Sequence, residues 1–294
     1  MYLNSIADLN FEKERAVIIN HNSKAVASLS LLSTIKYSNL KVLLIDCESD
    51  DGSLEHFKKL MAIYNFDLVS APFNLHGTTL DWIFRNINSE FALLVDSDIE
   101  ILNSQIFSFI KEYKDGEKIF GIGFTDGPFI IKNRKDILYN GMFMERMWIP
   151  FVYLNVPMVK NAIEEGKTFN AKYHYNDLFF SEFISRQTAN LRRLILKYFN
   201  YYIKFPDLFK GSFYELKPSL LFYDTGAEIY SYLKYNKGFD FVGLPEKYHK
   251  RYMNHLGNYT KSVMKSSTRK RQKESEEILA IKRELETEYN LELD

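Results

Sequence analysis

Two carboxylates one residue apart, Asp96 and Asp98, close the apolar run Leu93-Leu94-Val95. Such a run reads as a buried strand, and along a strand alternate residues point to the same side. Asp96 and Asp98 are therefore expected to face one ligand together. Two unpaired carboxylates at a strand end are costly unless something positive lies between them. A hard divalent cation, Mg²⁺ or Mn²⁺, meets that need, because such ions take oxygen ligands and share them with substrate phosphates. A D-x-D is no rarity in 294 residues. Its place among the surrounding elements has to decide between a metal site and a loop that holds two acids.

Those elements alternate through the first hundred residues. Ala16-Val17-Ile18-Ile19 is an apolar run ending at Asn20-His21-Asn22-Ser23, and Ser23 is expected to cap a helix with Val26, Leu29, Leu32 and Ile35 on one face. Val42-Leu43-Leu44-Ile45 ends at Asp46, and after the turn at Ser49-Asp50-Asp51-Gly52 a helix from Ser53 turns Leu54, Phe57, Leu60 and Met61 inward. A third strand is expected at Asp67–Ser70, a helix at Thr78–Ile87 and a fourth strand at Phe91–Val95. Strands alternating with helices imply βαβ units and a mostly parallel sheet. Right-handed crossovers then bring the strand ends to one edge, outside which ligands of open α/β sheets bind. Asn20, Asp46 and the Asp96/Asp98 pair all fall at such ends.

Past residue 100 the alternation is lost. Gly121–Gly127 reads as a loop and Pro128–Ile131 as a strand behind it. Residues 140–223 read as aromatic and irregular, with helices near Pro157–Glu165 and Asp177–Phe199. Asp224–Tyr235 has helical spacing, and Phe239–Gly243 reads as a strand. From Lys261 the composition turns basic and then acidic, with Ile278, Ile281, Leu285 and Tyr289 at helical spacing. This is an amphipathic helix that packs on the body or on a partner, a second copy of the chain included.

At 46% hydrophobic the chain can bury a full core. Its formal net charge of zero supplies no global field for nucleic acid. The single cysteine, Cys47, excludes an internal disulfide framework and a four-cysteine zinc site and fits a reducing cytosol. Residues 1–5 have neither a basic nor an apolar leader region, and no stretch approaches the ~18 apolar residues of a spanning helix. A cytoplasmic protein is expected. Gly166-Lys167-Thr168 has Asn161 where a P-loop needs glycine, and Gly121-x-Gly123 with Gly127 does not fit a dinucleotide fingerprint.

Taken in order, the motifs resemble those of family 2 glycosyltransferases of the GT-A fold. Ile18–Ser23 resembles the opening strand and its Y-N segment, with His21 in place of Tyr. Leu44-Ile45-Asp46-Cys47-Glu48-Ser49-Asp50-Asp51-Gly52-Ser53 resembles the second-strand motif, and Asn74-x-x-Gly77 the N-x-G before the third helix. Leu94–Asp98 matches the D-x-D. Gly127–Ile131 resembles the strand that starts the acceptor half, Phe222–Glu228 the acidic helix start, and His255-x-Gly257-x-x-Thr260 the closing H-x-G-x-x-S. The resemblance spans roughly residues 14–260. It implies one GT-A domain over residues 1–260, with a mixed, mostly parallel sheet flanked by helices. Its nucleotide half is about 14–100 and its acceptor half about 120–260, and a charged amphipathic helix follows at 261–294.

The resemblance also implies an activity: metal-dependent, inverting transfer of a sugar from a nucleotide-sugar donor to a glycan or lipid-linked acceptor, as in surface polysaccharide synthesis. Asp98 would hold Mn²⁺ or Mg²⁺ directly, Asp96 the ribose or a metal-bound water, and His255 would offer a third ligand. Asn20, Asn22, Asp46, Cys47, Asn74 and Gly77 would line the donor nucleotide. Cys47 stands where users of uridine diphosphates often have an acid or Asn, and a thiol is a weak hydrogen-bond partner. Asp224 would take the acceptor's proton, with Asp177 and Glu228 as alternatives and plain N-capping as the other role for Asp224. Trp148, Tyr153, Tyr173, Tyr175, Phe179 and Phe180 suit sugar stacking or core packing. The basic stretch Arg192–Lys210 suits a solvated helix face or peripheral contact with an anionic membrane. Two other classes remain open: a sugar-phosphate nucleotidyltransferase, and a catalytically silent module that binds a glycan or a partner.

Overall fold

The computed structural model describes residues 1–131, 141–175, 183–185, 220–256 and 276–293. In chain order the elements are β1 (Tyr2–Leu3), β2 (Glu12–Asn20), α1 (Lys24–Ser38), β3 (Lys41–Cys47), α2 (Ser53–Leu60), β4 (Phe66–Ala71), α3 (His76–Asn86), β5 (Ser89–Asp96) and β6 (Ile99–Ile101). There follow α4 (Gln105–Tyr113), β7 (Ile119–Asp126), β8 (Phe129–Ile131), β9 (Gly141–Phe143), β10 (Arg146–Asn155), α5 (Val156–Glu164), β11 (Lys172–Tyr175) and β12 (Phe183–Ser185). The chain closes with β13 (Leu220–Tyr223), α6 (Ala227–Ser231), a π-turn at Tyr232–Asn236, β14 (Asp240–Gly243), α7 (Glu246–Tyr252), β15 (Met253–His255) and α8 (Glu276–Tyr289).

The fold is mixed α/β with a largely parallel central sheet. Eight strands run in the order β1-β4-β3-β2-β5-β10-β7-β14. The first five are mutually parallel, whereas β10 runs antiparallel to both β5 and β7. A second sheet, β12-β11-β13-β9-β8, and a ribbon of β15 on β6 stand beside it. The parallel strands read as continuous apolar runs because both faces are covered. Val17, Leu43 and Leu94 pack with Ile83, Phe84 and Val159 of α3 and α5 on one side, while Ala16, Ile18, Leu44 and Leu93 pack with Leu31, Phe57 and Ile106 on the other.

Helix α1 is buried on both flanks. Ala27 and Leu31 face the sheet, and Val26, Leu29 and Leu32 meet Ile281 and Leu285 of α8. The apolar stripe of the C-terminal helix is thus engaged with its own chain, the first of the two placements expected for it. Ser23 is the N-cap residue of α1, its carbonyl accepting from Ala27 N–H at 2.8 Å, while its hydroxyl donates to Asn20 Oδ1 at 2.7 Å instead of closing the helix end.

Three expectations are corrected. Residues 119–126 form strand β7, not a loop, because Gly121 and Gly123 are where larger neighbours cross: a Cβ at Gly121 would lie 2.9 Å from Leu154 Cδ2 and from Phe241 Cε2. Residues 146–155, expected to be irregular, form the ten-residue β10 at the centre of the sheet. Residues 183–185, expected within a helix, pair as β12 with β11, and the rest of Asp177–Phe199 lies outside the described residues. Among the described residues no helix is long and apolar enough to cross a membrane. The basic stretch Arg192–Lys210 also lies outside them.

Candidate functional site

Strand register sets the floor of the site. Asn20 pairs level with Asp46, and Ile19 with Asp96, so the ends of β2, β3 and β5 reach the same edge. The D-x-D turn is then pinned from α1: Ser30 Oγ donates to the Asp96 carbonyl at 3.0 Å, and Ser33 Oγ accepts from Ile101 N–H at 3.1 Å. Serines buried inside a helix are unusual, and here they hold the acidic turn. The sequence carried that signal as an unexplained run of polar residues on an otherwise apolar helix.

Asp96 is half-buried, with 30% of its side chain accessible. Burial pushes its carboxyl above the ordinary range; His76 pulls it back, the Asp98 charge adds to the rise, and His255 opposes it. His76, the first residue of α3, holds Nε2 3.9 Å from Asp96 Oδ1. Asp98 is only 9% exposed, and its Oδ1 lies 3.6 Å from His255 Nε2. The ribbon makes that meeting: His255 pairs with Ile99, and Leu256 N–H donates to the Asp98 carbonyl at 2.9 Å. Two residues separated by more than half the chain are thereby set side by side. Trp148 packs perpendicular to His255 at 5.2 Å, with His249 and Phe124 around it. Burial, then the charges of His255 and Lys250, hold His249 below the ordinary imidazole range.

Among the described residues no three His, Cys, Asp or Glu side chains are grouped so as to hold a metal ion by themselves. The donor set nonetheless fits a hard cation held in part by its substrate: such ions take one or two carboxylates and complete their shell with phosphates and water. Asp98 and His255, with Asp96 beside them, are the groups that would hold the ion.

The turns after β2 and β3 lock together. Asp46 Oδ1 accepts from Asn20 Nδ2 and from Ser49 Oγ, both at 2.7 Å, while Ser49 Oγ accepts from Asn22 N–H at 2.9 Å. Asn22, at φ 51°, accepts through Oδ1 from Asp50 N–H at 2.7 Å. Asp46 and Asn20 are fully buried, so they brace this wall instead of presenting free groups to a base. Cys47 is a second correction. Its thiol sits in the apolar core, where burial, with the charges of Asp46 and Glu48, pushes it up to about 12. Only its carbonyl reaches the wall, meeting His21 Nδ1 at 2.6 Å. Asn74 is exposed and donates weakly to the Pro72 carbonyl at 3.4 Å. Gly77 is a packing residue: a Cβ there would lie 2.6 Å from Asn170 Cα.

Asp224 does not cap α6, whose N-cap is Gly226. Its Oδ2 instead accepts from Arg146 Nη1, and Arg146 Nη2 donates to Asp126 Oδ2 at 3.0 Å. Glu228 is tied into the scaffold by Lys172 Nζ at 2.7 Å and by Thr168 N–H at 3.2 Å. Asp177, Phe179, Phe180, Gly257 and Thr260 lie outside the described residues. Tyr153 is buried and stacks on Phe91 at 5.3 Å, its hydroxyl donating to Glu14 Oε2 at 3.0 Å, which makes it core. Tyr173 packs on Phe222 at 4.6 Å.

No family model matches the chain, and no curated protein matches it. Among solved structures it is similar to the mannosyltransferase PcManGT from Pyrobaculum calidifontis, in complex with GDP-Man and Mn²⁺, at 9% identity over 52% of this chain and 47% of that one, with a TM-score of 0.41. It is similar to S. aureus TarS 1-349 in complex with UDP-GlcNAc at 18% identity over 52% of this chain and 48% of that one, TM-score 0.36. A third likeness is to 4-diphosphocytidyl-2C-methyl-D-erythritolsynthase from Anaerococcus prevotii, at 11% identity over 56% of this chain and 78% of that one, TM-score 0.37. The match covers about half the length of the first two.

Proposed function

We propose that the chain is a metal-dependent, inverting glycosyltransferase of the GT-A type, moving a sugar from a nucleotide-diphosphate donor to a hydroxyl of a glycan or lipid-linked acceptor, as in surface polysaccharide synthesis. The observation that carries the reading is Asp98 with His255 Nε2 at 3.6 Å, set beside Asp96 at the edge where the parallel strands end. A bound Mn²⁺ or Mg²⁺ would neutralise the charge that builds on the diphosphate as the glycosidic bond breaks. Asp98 and His255 would hold that ion, and Asp96 the ribose or a bound water. Asp224 would take the proton of the acceptor hydroxyl as the new carbon–oxygen bond forms. Its Oδ2 bond to Arg146 orients the carboxylate for that role.

Thermal unfolding with uridine, guanosine and cytidine diphosphates, each with Mn²⁺ or with a chelator, tests the reading. Stabilisation by one diphosphate that disappears with the chelator is expected. Metal-dependent stabilisation by a triphosphate alone would shift the reading to a sugar-phosphate nucleotidyltransferase. No stabilisation by any nucleotide would leave a glycan- or partner-binding module.

A further inference from the structure

His255 is an exposed position on a short, one-sided support. Its strand is three residues long and among the described residues pairs with β6 alone. Its side chain remains 31% accessible, and an imidazole so placed loses rotamer freedom only if something packs against it. Among the described residues the aromatic ring against it is Trp148, 5.2 Å away at 88°. Such a perpendicular arrangement is the favoured geometry for paired rings.

The indole is itself held from two further elements. His249 of α7 lies 4.9 Å from it at 66°, and Phe124 of β7 lies 5.8 Å from it at 81°. Phe124 and His249 also meet edge to face at 5.4 Å, closing a triangle of rings. Helix α7 runs directly into β15, so His249 and His255 grip Trp148 from two points on one continuous segment. The triangle joins the central sheet to a ribbon that is otherwise outside it. Trp148 stays half-buried, unlike its neighbours Met147 and Ile149 on the opposite face of β10, which are core.

We propose that Trp148 is a positioning residue whose indole, braced by Phe124 and His249, fixes the His255 imidazole with Nε2 toward Asp98. The inference rests on the reading of Asp98 and His255 as the metal and diphosphate site. Residues that orient a metal ligand typically change metal affinity ~10- to 100-fold when removed.

The test uses the full chain and two readouts, the first independent of metal. The Cε1–Hε1 NMR correlations of the six histidines are recorded, and that of His255 is assigned by its loss in His255→Gln. In the parent protein it is expected away from the position of a free imidazole, because the indole ring current acts on it. Trp148→Phe keeps it displaced, whereas Trp148→Ala and the bulk-preserving Trp148→Leu move it to the free position. The His56 signal, whose ring partner is Phe57, stays fixed and reports that each variant is folded. A His255 signal unchanged in both Trp148→Ala and Trp148→Leu overturns the proposal.

The second readout is Mn²⁺ binding, followed by titration. Trp148→Leu and His255→Gln are each expected to bind about 10-fold or more weakly. The double variant is expected to bind no more weakly than His255→Gln alone, since both act through one imidazole. Additive losses overturn the proposal. If the NMR result holds while the parent binds no Mn²⁺, Trp148 still positions His255 and it is the metal reading that fails.

Discussion

The two halves of this site are built in different ways. Residues 12–101 supply Asn20, Asp46, Asp96 and Asp98, each at or just past the end of its own strand, with neighbouring strands in parallel register. Residues 119–256 supply Arg146 and Trp148 from β10, Asp224 from the turn after β13 and His255 from β15. Their placement depends on β10 inserting antiparallel between β5 and β7 and on β15 returning to β6. The first half is positioned by local alternation and short crossovers. The second depends on a strand order that departs from chain order and, at β15–β6, on pairing between residues more than a hundred positions apart. The polar groups of the first half are spent largely on bracing one another, and in the second half the Arg146 guanidinium is likewise held by Asp126 and Asp224.

Two substitutions in the first half separate chemistry from scaffold, and they carry the largest expected effects. Asp98→Ala removes the less exposed carboxylate of the pair and should lower sugar transfer on the order of 10²- to 10³-fold. The melting temperature should change little. Activity assays beside thermal unfolding check this, and parental activity would remove the metal role. Asp67→Ala should do the reverse. Asp67 pairs with Arg15 Nη1 at 2.5 Å, with only 1% of the Arg15 side chain exposed. Removing the carboxylate strands a buried cation, at a cost of about 3–5 kcal/mol, measured by denaturant unfolding. Donor binding per folded molecule should stay at the parental level.

The same contrast explains what the sequence made legible. Continuous apolar runs at 16–19, 42–45 and 91–95 declared buried parallel strands, and the polar residues that end them, Asn20, Asp46 and Asp96, fall on one sheet edge as the alternation requires. Helix α1 was readable as a helix, but not as one sandwiched between the sheet and α8, because the apolar residues on its second face looked like the first face continued. Strand β7 was hidden by Gly121 and Gly123, which signal a turn locally and are instead room for Leu154 and Phe241. Strand β10 was hidden because its aromatic, proline-containing run has no clean period. The meeting of Asp98 with His255 was suggested by motif order alone, while Trp148 between His249 and His255 had no local signal at all. Cys47 shows the converse error: a residue beside the site in sequence whose side chain points into the core.

The seam between the halves gives the next test. Gly77 on α3 touches the backbone of Phe169 and Asn170, with a would-be Cβ 2.6–2.8 Å from their main-chain atoms. Backbone cannot swing aside as a side chain does. Gly77→Ala should therefore destabilise by about 1–3 kcal/mol, read from unfolding curves. It should also weaken donor binding, because displacing the start of α3 moves His76 away from Asp96. Loss of stability with donor affinity intact would show that the seam and the site are mechanically separate.

The smallest expected effect lies one turn further along the same helix. Asp81 fastens α3 to the 168–170 loop, accepting from Phe169 N–H at 2.8 Å, from Asn170 Nδ2 at 3.3 Å and from the Thr168 hydroxyl. Burial nevertheless raises its carboxyl above the ordinary value of 3.8; the bonds from Thr168 and Phe169 and the Arg85 charge offset that only in part, and Glu228 adds to the rise. The folded chain therefore binds this proton more tightly than the unfolded chain. The resulting stability is fully present below pH 3.8 and is lost as pH rises through the higher folded value. Asp81→Asn removes the titrating group while keeping one acceptor for Phe169. The variant should cost about 0.5–1.5 kcal/mol at neutral pH and lose this one downward contribution to the stability–pH curve just above pH 3.8. Melting temperatures of both proteins across that window measure it: parallel curves would mean that the seam holds an ionised Asp81 at no penalty.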